Sequence, residues 1–96
     1  MSDVTVHHEK GESKGRYFVT HAEGESELTY SVMSPTLVIA DHTSVAAGQE
    51  GQGIGLLMLE QFIADARESG FKIMPLCPFV NAQRRKHPDW ADVFAT

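Results

Sequence analysis

The run Glu50-Gly51-Gln52-Gly53-Ile54-Gly55 constrains this chain most, because three glycines in five positions stand directly before an amphipathic stretch. Glycine tolerates positive φ and leaves no side chain over the backbone, so a ligand can lie against the amides. A helix starting here would aim its unpaired N–H groups and the positive end of its dipole at one spot. An anion belongs there, and a pyrophosphate fits. Two look-alikes fail on single residues. A P-loop needs Gly-Lys-Ser/Thr, whereas Gly55 is followed by Leu56 and Leu57. A dinucleotide fingerprint counted from Gly51 needs glycine or alanine at Leu56, and 96 residues leave no room for a doubly wound sheet. Taken by itself the run also suits a flexible turn, so the surrounding elements have to decide.

Ninety-six residues are expected to form one small domain, 1–96, with residues 1–12 partly frayed. The net charge of −5 argues against a nucleic-acid or anionic-membrane partner and mildly favours a cationic one such as an amine. A single cysteine excludes an internal disulfide framework and suits a reducing compartment. Met1 to Lys10 holds no apolar core of a signal peptide, and nothing approaches the roughly 20 apolar residues of a membrane span. A cytoplasmic protein is the expectation.

Four strand patterns come first: Val4 and Val6, then Arg16 to Thr20, Leu28 to Met33, and Thr36 to Ala40, with glycine or proline between them. Short spacing predicts an antiparallel meander. From Ile54 the period changes. Ile54, Met58 and Phe62 form one row and Leu59, Ile63 and Ala66 the next, opposite a polar face of Glu60, Asp65, Arg67 and Glu68. Gly70 is placed to end this helix. Phe71 to Met74 predicts a short strand, and Phe79 to His87 a second helix with Pro78 in its first turn and Pro88 beyond it. The order predicts an α/β domain, four antiparallel strands followed by helix, parallel strand and helix, with a right-handed crossover.

Placed in this order, five segments make the chain resemble the small GNAT-like acetyltransferases of the YjdJ type. They are Leu28-Thr29-Tyr30, Asp41-His42-Thr43-Ser44-Val45, Gly51 to Gly55, Pro75-Leu76-Cys77-Pro78-Phe79-Val80 and His87-Pro88-Asp89-Trp90. The resemblance implies acetyl-CoA held where the fourth and fifth strands splay apart, its pyrophosphate on the amides of Gln52 to Gly55, and acetyl transfer to an amine. Gly51, Gln52, Gly53, Ile54 and Gly55 are then the cofactor-binding run. The chain departs from the family pattern in having Glu50 where Arg or Gln is usual, Ser44 where an acidic residue is common, and Gln83 where an aromatic is common.

Cys77 and His42 are the candidate catalytic residues. A thiol at a helix start can be activated and could relay an acetyl group, although free cysteine is also among the most buried residue types. An imidazole is a natural base for an ammonium or thiol proton, and His42 could equally be a structural histidine at the splay point. Asn81 and Gln83 could bond the pantetheine arm. Arg84 and Arg85, with Lys86, could cradle the cofactor's phosphates or complement a helix C-terminus. His7, His8 and His21 show no ligand spacing with Cys77, so no metal is expected. The function predicted is an N-acetyltransferase for an unidentified amine. The alternatives are a CoA- or acyl-CoA-binding module with little catalysis, and an interaction domain acting through a sheet edge. In so small a domain, a partner protein or a second copy could complete the acceptor site.

Overall fold

The computed structural model describes residues 4–95. Four strands, β1 (His7–Lys10), β2 (Lys14–His21), β3 (Gly24–Ser34) and β4 (Leu37–Ser44), run antiparallel in sequence order. Helix α1 (Ile54–Ser69) then crosses over to β5 (Lys72–Pro75), which pairs parallel to β4, and α2 (Pro78–Lys86) follows. This is the α/β architecture and strand order that the sequence predicts. The meander forms because β2, β3 and β4 alternate apolar and polar residues. Tyr17, Val19, Leu28, Tyr30, Val38 and Ala40 are buried beneath α1. Their neighbours, including Arg16, Glu27, Thr29 and Ser31, lie on the other face, away from α1.

Both apolar rows of α1 enter the core, and Met58, Leu59 and Phe62 are fully buried. Gly70 adopts φ 82°, and its N–H closes the helix on the carbonyl of Ala66. No helix among the described residues is long and apolar enough to cross a membrane.

Two local expectations are corrected. The first strand is His7–Lys10 rather than Val4 and Val6, which are partly buried ahead of it. Its register follows the turn at Gly11, whose N–H bonds the Lys14 carbonyl at 2.8 Å, and not an apolar pattern that His-His-Glu-Lys lacks. Helix α2 ends at Lys86, before Pro88, as expected. A 3₁₀ helix covers Pro88–Val93, burying Trp90 and Val93, and Phe94 bridges to Ile73 beside β5. The second correction concerns Asp65, which does not belong to a solvated polar face. Its carboxylate accepts the Tyr17 hydroxyl proton at 2.6 Å.

That contact belongs to a network tying β1 to the body. His8 stacks on the Tyr17 ring with centroids 4.2 Å apart, and its Nε2 lies 2.6 Å from the Tyr30 hydroxyl. The Asp65 carboxylate lies 3.7 Å from His8 Nδ1. Burial, the main cause, and nearby Lys10 hold the His8 pKa below its ordinary 6.5, with Asp65 opposing. An unfolded His8 therefore takes up a proton at a pH where the folded one stays neutral. Its contribution to stability is full above about pH 6.5 and is lost as pH falls toward the lower folded value. Thermal melts are expected to show a loss of stability between about pH 7.5 and 5.5 that is smaller in His8→Gln. Equal pH slopes in the two proteins would refute the assignment.

Candidate functional site

The site grows from the end of the β4–β5 pairing. The parallel register runs from Leu37 opposite Lys72 to Ala40 opposite Pro75 and goes no further. Proline lacks the N–H needed to continue the ladder. The chain turns at Leu76, and the Cys77 N–H returns to the Ala40 carbonyl at 2.9 Å. Strand β4 runs on to Ser44, so the two strands part at this point.

Immediately after it, β4 carries a bulge. Thr29 pairs with His42 and Tyr30 with Ala40, leaving Asp41 as the extra residue. Plain alternation from buried Ala40 would turn His42 under the helices. Cross-strand partners share a face, so the bulge places His42 with Thr29 on the open face and Thr43 with Leu28 on the covered face. His42 is exposed. Cys77 is 1% exposed, and its Sγ lies 3.2 Å from Thr43 Oγ1. The two candidate catalytic residues thus flank the splay from opposite sides of the sheet. A two-for-one register has no signature in the sequence Ala40-Asp41-His42-Thr43, so the roles of Asp41 and Thr43 here were not legible beforehand.

The glycine run is presented by a fixed loop. Buried Ser26 accepts the Ala46 N–H at 2.9 Å and meets His21 Nε2 at 2.9 Å, which pins the chain leaving β4 to β3. Gly51 and Gly53 have φ of 79° and 76°, and a Cβ on either would meet nothing within 4 Å. These two glycines supply backbone conformation and leave the approach open. Gly53 is the N-cap of α1 with no side-chain cap, and no acidic residue occupies the first turn. The amides of Ile54, Gly55 and Leu56 have no carbonyl partner within the helix. The Ile54 side chain itself is buried in the core.

Gly55 has a different reason to be glycine. A Cβ there would stand 2.9 Å from Cζ of Phe79, in the first turn of α2, so the starts of the two helices meet. Glu50 does not face the helix terminus unengaged, because its carboxylate turns back to accept the Gly48 N–H at 3.0 Å.

Helix α2 begins at Pro78 with Cys77 as its extended N-cap, and the Asn81 N–H bonds the Cys77 carbonyl at 2.9 Å. Asn81 Oδ1 accepts Arg84 Nε at 2.8 Å, so these two candidates hold each other on one helix face. Arg85 is exposed and, with Arg84 and Lys86, occupies the last turn, where cations complement the helix dipole. The structure brings Phe79 to the glycine run; Arg84 and Arg85 lie further along α2.

The donor set fits an anionic cofactor: unpaired first-turn amides, a backbone approach clear of side chains, and no carboxylate aimed at it. Comparison with known proteins gives the same direction. Among curated proteins, none matches this chain. Among solved structures, the chain is similar to the NMR solution structure of a GCN5-like protein from Staphylococcus aureus. The TM-score is 0.74 and the identity 29%, over 99% of this chain and 91% of that one. A family model described as GCN5-related N-acetyl-transferase matches residues 16–93, which span β2 through the 3₁₀ helix. With that match over most of its length, the chain belongs to the GCN5-related N-acetyltransferase family.

Proposed function

We propose that this protein binds acetyl-CoA and transfers its acetyl group to a primary amine. The observation that carries the reading is the parting of β4 and β5 beside an α1 terminus whose amides and flanking glycines are open. The amides of Gln52 to Gly55 hold the pyrophosphate. Arg84 and Arg85 lend positive charge, and Asn81 keeps Arg84 extended along α2. When bound, acetyl-CoA supplies an acyl carbon that the amine nitrogen attacks, the C–N bond forming as the C–S bond breaks and the thiol leaves. His42, exposed on the open face, takes the proton that the ammonium must lose before its nitrogen can attack. Holding the reactants together supplies much of the rate.

Direct transfer suits the geometry better than a relay, because the Cys77 sulfur is enclosed and engaged with Thr43. Cys77 then closes the covered side of the splay. Titrating isotope-labelled protein with acetyl-CoA is expected to shift the amides of Gln52 to Gly55, while mass spectrometry finds no acetyl on Cys77. An acetyl adduct that disappears in Cys77→Ala would establish the relay instead. Binding without turnover on any amine would leave a CoA-binding module. No shift at the glycine run would sink the whole reading.

A further inference from the structure

The open face of the sheet carries a cavity of about 550 Å³ whose lining includes Glu9, Lys14, Arg16, Thr29 and Asp41. Its charges are sorted. Arg16 is spent on carboxylates, with Nε donating to Glu9 at 2.9 Å and Nη1 to Glu25 and Glu27 at 2.9 and 3.0 Å. Lys14, by contrast, pairs with Ser31 on this face and lies within ion-pair distance of no carboxylate among the described residues. At the β4 side stands Asp41, exposed, its Oδ2 accepting the Ser31 hydroxyl at 2.6 Å. Asp41 is the bulge residue, next to the point where β4 leaves β5, and the same bulge turns His42 onto this face. One end of the cavity is therefore negative and adjoins the candidate base; the other holds Lys14, a cation without a carboxylate partner among the described residues. Lys14 is two strands away from β4, a backbone separation on the order of 10 Å.

We propose that this cavity seats the acceptor of the acetyl transfer, and that the acceptor is an amino-carboxylate or similar amine bearing an anionic group, its ammonium at Asp41 and its anion at Lys14. The proposal rests on the acetyltransferase reading above and adds the substrate class. A simple alkylamine leaves Lys14 unmatched, and a diamine sets a second ammonium against it, which is repulsive. Acetylation converts the ammonium into a neutral amide, so the product loses its attraction to Asp41 and is released.

The test uses ε-aminocaproate and cadaverine, which carry five methylenes between their ends and differ in the sign of one end. Titrated into labelled protein, ε-aminocaproate is expected to shift the amides of Lys14, Thr29 and Asp41, and to bind about tenfold more tightly than cadaverine. The variant Lys14→Glu should reverse that order, and Lys14→Met, which removes the charge without adding another, should narrow it. Asp41→Asn should weaken both ligands. With acetyl-CoA present, the ratio of kcat/KM for the two amines should follow the same order. Equal binding of the two ligands, shifts confined to another surface, or an order unmoved by Lys14→Glu would overturn the proposal. Failure of acetyl-CoA to shift Gln52 to Gly55 would instead remove the acetyltransferase reading, and the ligand order would still show which charges the cavity prefers.

Discussion

Phe62→Ala is expected to lower the stability of this protein by about 3–5 kcal/mol, the range for deleting a buried phenylalanine side chain. Phe62 is fully buried at the middle of α1, where its ring packs on three others: Tyr17 at 5.2 Å, Tyr30 at 5.4 Å and Phe71 at 6.0 Å between centroids. Those rings belong to β2, β3 and the entry to β5, so removing one side chain opens a void between helix and sheet along most of its width. In a domain of this size each kcal/mol moves the melting temperature by roughly 4–8 °C. A drop of at least roughly 12 °C should therefore appear in a thermal melt. Since total stabilities are about 5–15 kcal/mol, the variant could already be partly unfolded at working temperature. Phe62→Leu, which refills most of the volume, should recover most of the loss. A cost of Phe62→Ala below about 1.5 kcal/mol would show that the aromatic cluster does not carry the packing of α1 on the sheet.

The second large effect runs against intrinsic propensity. Gly15 sits within β2, where alanine is ordinarily better than glycine by roughly 0.5–1 kcal/mol. Here Gly15→Ala should instead cost about 2–3 kcal/mol, because the new Cβ overpacks a filled site. Gly15 pairs directly with Tyr30, whose ring lies across it. A Cβ would collide with the Tyr30 hydroxyl and Cζ and come within 2.8 Å of the Glu9 carbonyl oxygen. Neither neighbour can yield freely. The carbonyl belongs to strand β1, and the hydroxyl is bonded to His8. The double variant Gly15→Ala/Tyr30→Phe provides the check by chemical denaturation. Tyr30→Phe alone loses one hydrogen bond, about 1 kcal/mol. It also removes the nearest atom of the clash, so the double variant should cost less than the sum of the two single ones. Strict additivity would mean that the ring does not occupy the space above Gly15.

Burial also drives the tyrosine chemistry of this network. The Tyr17 hydroxyl is pushed well above its ordinary pKa, first by burial and then by its bond to the Asp65 carboxylate. Tyr30 is raised by burial and by the same carboxylate. Both stay protonated, so they hold β1 and α1 together as hydrogen-bond donors or acceptors.

Elements whose residues repeat with a period can be read directly from the order of residues along the chain. The two apolar rows from Ile54 to Ala66 place α1 on the sheet; the alternation in Leu28 to Met33 marks β3; Gly70 and Pro78 bound the helices through their own backbone chemistry. The same order also located the glycine run at a helix start, because three glycines before an amphipathic stretch have that meaning locally. Tertiary structure decided what depends on contacts between distant residues. Gly51, Gly53 and Gly55 look equivalent in sequence, yet two serve a left-handed backbone and the third makes room for Phe79, 24 residues on. Strand β1 has no apolar pattern, and its place comes from His8 meeting Tyr17 and Tyr30. The bulge at Asp41 sets His42 and Cys77 on opposite faces because pairing with β3 skips one residue of β4. Periodicity is a property of neighbours along the chain. Register, close approach and the face a side chain takes are properties of pairs brought together by the fold.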